Sequence, residues 1–134
     1  VATHWVRHKW ECFVKTQRTD RTGIDRDKLP QDAPVDFTGD ANAQALIDTM
    51  RKRLCHTAAP ETREYAEDFK RALRAIEPEL SDVLVPNCCY RGFCPEMNPC
   101  GFWEKFSEGL TKEEALRWET RYGRYNERFW RRQE

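Results

Sequence analysis

Residues 85–101 read Val85-Pro86-Asn87-Cys88-Cys89-Tyr90-Arg91-Gly92-Phe93-Cys94-Pro95-Glu96-Met97-Asn98-Pro99-Cys100-Gly101. Three Pro, two Gly and four Cys in one run predict a loop that neither continues a helix nor buries much apolar surface. Something other than a core has to order it. Zinc meets that need when four soft ligands reach tetrahedral corners, and Cys88, Cys94 and Cys100 recur with five residues between each pair. Turns at Gly92, Pro95, Pro99 and Gly101 would fold the loop around the ion, and Cys55 is the natural fourth ligand. Cys89 competes with Cys88, because neighbouring side chains generally point apart, and His56 is a weaker substitute. An iron–sulfur cluster, two disulfides and buried free thiols are the alternatives. A site closed by four thiolates is structural, since it leaves no position open to water or substrate.

Outward from this run the pattern is helical. Before it, Ala43, Leu46, Ile47, Met50 and Leu54 recur at three- and four-residue steps, with Asp40 as the expected N-cap. Pro60 opens a second helix, whose expected apolar stripe is Tyr65, Phe69, Ala72, Leu73 and Ile76, and a short third one follows from Pro78 to Leu84. After the run, Thr111 with Glu114 forms a capping box that opens a last helix reaching about Arg131. Ala115, Trp118, Tyr122, Tyr125 and Phe129 make its apolar seam, for burial against another helix of this chain or of a second copy. Arg117, Arg121, Arg124, Arg128 and Arg131 line the adjoining face. Gly123 inside that helix suggests the close approach of another backbone.

The N-terminal part is different. Residues 3–16 mix β-formers with charge and predict a strand or a short docked helix, and Gln17 to Gly39 reads as a long charged loop. The fold class expected is therefore mainly α: one small helical domain over residues 1–134, with a metal-stapled Cys-rich loop and a short strand element near the N-terminus. Its parts are the segment 1–39, a helical core over 40–84, the loop over 85–101 and the C-terminal helix over 102–134.

Lys plus Arg and Asp plus Glu are both 23, so the net charge of zero gives no indication of nucleic acid as a bulk electrostatic partner. Seven Phe, five Trp and four Tyr argue against disorder despite 34% charged residues. There is no apolar run of membrane-spanning length and no secretory h-region, so a cytoplasmic, reducing compartment without a membrane partner is expected. Among six cysteines, four lie within thirteen residues, which in a reducing compartment favours metal over bridges.

The runs Arg7-His8-Lys9, Thr16-Gln17-Arg18, Arg53-Leu54-Cys55 and Glu61-Thr62-Arg63 occur together with Tyr90-Arg91-Gly92-Phe93-Cys94-Pro95-Glu96 and Cys100-Gly101. Over about residues 4 to 101 the chain resembles the C-terminal half of flavin-dependent thymidylate synthases, closest to short phage-type relatives with a Cys-rich tail. The resemblance implies a deoxyuridylate-binding site at Arg7, His8, Lys9, Thr16, Arg18 and Arg63. Lys9 stands where the family has a second arginine, and Thr16 where it has a serine. A methyltransferase of this kind would use FAD as hydride carrier and a folate as carbon donor, in a homo-oligomer that completes the site.

From the residues alone, Arg7, Lys9, Arg18, Arg21, Arg26 and Lys28 suit a phosphate, or are solvated charges balanced by Asp20, Asp25, Asp27 and Asp32. No nucleophile with an adjacent base, phosphate loop or pair of acid and base carboxylates is recognisable. A second function class stands beside the first: a non-enzymatic, zinc-stapled helical interaction module that binds protein or nucleic acid through its C-terminal aromatic and arginine helix.

Overall fold

The computed structural model describes residues 10–14, 23, 25–30 and 37–131. Strand β1 (Glu11–Val14) pairs antiparallel with β2 (Phe37–Asp40), Glu11 facing Asp40 and Val14 facing Phe37. Part of the stretch expected as loop is thus a strand. Trp10 ties this hairpin to the helices, its indole Nε1 donating to Thr49 Oγ1 at 2.9 Å. Helix α1 (Ala43–Arg53) begins at Asn42, whose side chain accepts from the Ala45 amide at 2.9 Å. Asp40 is not the cap, because it is still paired in β2.

Helix α2 (Pro60–Arg74) has Pro60 at its first turn, where a missing N–H costs nothing, and α3 (Pro78–Asp82) starts the same way. Helix α4 (Asn87–Arg91) lies inside the run expected as pure loop. Five residues suffice because Pro86 precedes the first turn and Gly92 closes the last in the left-handed region, at φ 81°. Helix α5 (Phe102–Ser107) follows the Cys-rich turns. The capping box of α6 (Lys112–Leu116) forms as the sequence predicts, with Glu114 N to Thr111 Oγ1 at 3.2 Å and Thr111 N to Glu114 Oε2 at 2.8 Å. The helix it opens is shorter than expected. Arg117 turns extended at ψ 120°, and α7 (Trp118–Arg131) starts afresh.

Two apolar clusters organise these helices. The first joins Leu46 and Met50 of α1 and its C-cap Leu54 to Ala66 of α2 and to Leu84, with Trp10, Phe69 and Leu73 packed against it. The second gathers Val85, Cys88, Cys89, Phe106, Tyr125 and Phe129. The α2 face is rotated from the expected stripe: Thr62, Ala66 and Lys70 are buried, whereas Tyr65, Ala72 and Ile76 are exposed. Ala66 packs with Leu46, Met50, Leu54 and Leu84, and Lys70 lies against α3, whose Ser81 hydroxyl donates to the Lys70 carbonyl at 3.0 Å.

The seam of α7 is likewise used inside the chain, since Tyr125 and Phe129 complete the second cluster while Trp118 stays 55% exposed. Arg121, expected at the edge, is only 5% exposed. A Cβ on Gly123 would meet nothing within 4 Å, so no backbone approaches there among the described residues. Gly123→Ala is therefore expected to stabilise the protein by about 1 kcal/mol, through helix propensity alone. A fall in the urea midpoint would show a constraint at this position that the fold does not contain. No helix of the described residues is long and apolar enough to cross a membrane.

Candidate functional site

The Cys-rich run is held by a guanidinium as well as by the core that Val85, Cys88 and Cys89 enter. Arg121 Nε donates to the Cys89 carbonyl at 2.7 Å, Nη2 to the Tyr90 carbonyl at 2.8 Å and Nη1 to the Ala115 carbonyl at 2.6 Å. The first two are acceptors left over at the C-terminal end of α4, the third at the end of α6. The break at Arg117 makes the third bond possible, because a continuous helix would give the Ala115 carbonyl to an amide four residues on. Gly92 fits beneath this fork: a Cβ there would stand 3.3 Å from the Ala115 oxygen and 3.4 Å from the guanidinium carbon.

Around that clamp the cysteines occupy different surroundings. Cys55, Cys88 and Cys89 are buried thiols, Cys94 is half-buried and Cys100 is exposed. The neighbours Cys88 and Cys89 do not point apart. Both enter the second cluster, where a hydrogen bond from Cys89 holds the Cys88 thiol below its ordinary value and burial pushes the Cys89 thiol up. Cys88 is therefore the thiol of the pair that ionises first. The Cys55 sulfur lies 3.1 Å from Thr57 Oγ1. It shares a cleft with Asn87 and Glu96, which flank Cys88 and Cys94 in the chain. So the turn after α1 does meet the Cys-rich run. Among the described residues no three His, Cys, Asp or Glu side chains are grouped to hold a metal ion.

Of the residues expected to hold a nucleotide, Arg7, His8, Lys9, Thr16 and Arg18 lie outside the described residues. Arg63, in the first turns of α2, has its Nε 3.7 Å from Glu67 Oε1. Glu67 in turn lines a recess of about 50 Å³ with His56, Phe102, Tyr125, Arg128 and Phe129. This recess adjoins an opening of about 260 Å³ formed by His56, Cys100, Phe102, Lys105, Phe106 and Arg128. His56 and Phe102 stack at 4.5 Å with 22° between their planes, and Phe102 stacks on Phe106 at 5.5 Å. Arg128 and Arg124 approach the Phe106 ring at 5.3 and 5.8 Å.

The arrangement offers a flat aromatic wall, a cationic rim and one carboxylate already occupied by arginine. In the sequence His56 stands out only as a substitute metal ligand, and Arg124 and Arg128 only as a flank of the last helix. Phe102 and Lys105 carried no signal, because their place in the cleft depends on α5 packing against α7, which lies beyond a turn and another short helix. No family model matches this chain, and neither a curated protein nor a solved structure matches it.

Proposed function

We propose that the chain is a nucleotide-binding domain of the kind found in flavin-dependent thymidylate synthases, taking deoxyuridylate, with a Cys-rich loop closed by structural zinc. The observation that carries this reading is Arg63, whose carboxylate partner Glu67 forms part of an aromatic, cation-rimmed cleft. Stacking surfaces and guanidinium groups are what a base and a phosphate require. Zinc held by Cys55, Cys88, Cys94 and Cys100 belongs to the same proposal, supported by the cleft that Cys55 shares with the neighbours of Cys88 and Cys94. Metal binding and loop ordering are coupled in such sites, so the ligands complete their geometry with the ion.

Two measurements test it. Calorimetry with deoxyuridylate is expected to give micromolar to millimolar binding, weakened about tenfold by Arg63→Ala through loss of a charge-assisted contact. Absence of heat with the wild-type chain sinks the nucleotide reading. Elemental analysis is expected to find one zinc per chain, released in Cys94→Ser together with a loss of stability. A metal-free protein of undiminished stability would refute the zinc site.

A further inference from the structure

Within the Cys-rich run, Cys89 is the cysteine that a zinc site of Cys55, Cys88, Cys94 and Cys100 leaves without a role. Cys88 and Cys89 are adjacent in α4, both are buried free thiols of the second cluster, and their side chains are hydrogen-bonded to each other. A disulfide between them is disfavoured, since adjacent Cα atoms stand about 3.8 Å apart, against about 4.4–6.8 Å in a relaxed bridge. The helix adds to that barrier. Arg121 Nε donates to the Cys89 carbonyl at 2.7 Å and Gly92 N to the Cys88 carbonyl at 2.9 Å, so the backbone is fixed on both sides of the peptide that a bridge would have to distort. The fold therefore keeps two sulfurs in contact, sharing a proton, without letting them join.

We propose that Cys88 and Cys89 bind one copper(I) ion, held between the two sulfurs in the place of the shared proton. Two thiols release two protons and take up one monovalent ion, and no atom changes its oxidation state. Number and softness of the donors select the ion. Structural zinc takes four ligands and calcium or magnesium six or more, mostly oxygen, whereas among the described residues no third His, Cys, Asp or Glu side chain groups with this pair. Soft thiolates favour copper(I), which is satisfied by two of them in a line. The resulting complex carries one negative charge. Arg121 and Arg128 are the cations acting on Cys89, and Glu104, acting on Cys88, opposes them. Phe106, Tyr125 and Phe129 of the same cluster shield the position from water, which protects the lower oxidation state. Cys88 keeps 7% of its surface exposed, and its neighbour Asn87 lines the cleft of about 240 Å³ that also holds Cys55, so the ion has a way in. This site lies beyond the nucleotide and zinc readings and shares only Cys88 with the second, for which the two ions would compete.

The test is anaerobic titration of the reduced full chain with copper(I) against the chelator bathocuproine disulfonate, with X-ray absorption at the copper edge on the sample holding one equivalent. The wild-type chain is expected to take one equivalent from the chelator and to show two sulfur neighbours around it. Cys89→Ala should weaken that first equivalent at least about tenfold, and it leaves the zinc set untouched. Circular dichroism checks that the variant folds; if it does not, the sulfur count of the wild-type complex decides. Unchanged copper(I) affinity in a folded Cys89→Ala overturns the assignment, because the ion then sits on the other thiols. Three or more sulfurs around the copper overturn it as well. Zinc content separates this site from the zinc reading. A chain that holds no zinc yet loses copper(I) with Cys89→Ala removes the zinc site alone, and a chain that holds zinc but takes up no copper(I) removes this one alone.

Discussion

Replacing Arg121 with Met is expected to lower the free energy of unfolding by about 3–5 kcal/mol, because it strands the carbonyls of Cys89, Tyr90 and Ala115 at the ends of two short helices. Each unsatisfied buried acceptor costs about 1–3 kcal/mol, and methionine matches the volume of the chain without replacing a single donor. Helices α4 and α6 have five residues each, too few to persist without tertiary support. Against a typical domain stability of about 5–15 kcal/mol the loss is a large fraction. Arg121→Lys should fall between, since an ammonium cannot span three acceptors held in a fixed fork. Urea denaturation decides it: a loss below about 1 kcal/mol for Arg121→Met would mean that water reaches these carbonyls and the guanidinium is not their support.

The second large effect belongs to Lys70 and depends on pH. Its side chain is 0% exposed, donates to the Ser81 carbonyl at 2.5 Å, and has the rings of Tyr125, Phe129 and Trp130 at 5.4 to 5.8 Å. Burial pushes its pKa down from the ordinary 10.5 to about 7, with Asp82 raising it and Arg74 lowering it further. Between these two values the unfolded chain binds more protons than the native one, so stability rises with pH across that window. Below about 7 both states hold the proton and the cost of burying the charge is present in full. The gain from pH 7 to pH 10 is at most about 4 kcal/mol, and the three ring faces, which favour the cation, reduce it. The informative quantity is the difference between wild type and Lys70→Met, in which contributions of all other groups cancel. That difference should grow in favour of the wild type as pH rises. A difference that stays flat would show Lys70 charged throughout, stabilised by its aromatic cage and carbonyl.

Neither effect could be anticipated from the chain alone, and the reason is the same for both. Lys70 and Arg121 each occupy a position that helical periodicity reserves for a charged, solvated side chain. They are buried because of partners far away in sequence: Ser81 and the α7 rings for the lysine, Cys89 and Tyr90 for the arginine. The same distance explains the cleft, where His56, Phe102 and Arg128 come from three separate stretches.

What the sequence determined by itself is local. Three- and four-residue spacing marked α1, α2 and α7, Pro60 and Pro78 marked two helix starts, and Thr111 with Glu114 specified a capping box, because each rests on interactions within a few residues. Tertiary structure decided which face of α2 is buried, since Ala66 packs with Leu46, Met50 and Leu84 and Lys70 lies against Ser81 of α3, while Tyr65 and Ala72 stay exposed. It decided that Cys88 and Cys89 sit on a short helix, whose open carbonyls a distant guanidinium completes. It also decided that the last helix breaks at Arg117, where turning the Ala115 carbonyl toward Arg121 replaces the helical bond that continuity would have supplied. A side chain's own neighbours determine whether it can be helical; only packing determines what it must satisfy once buried.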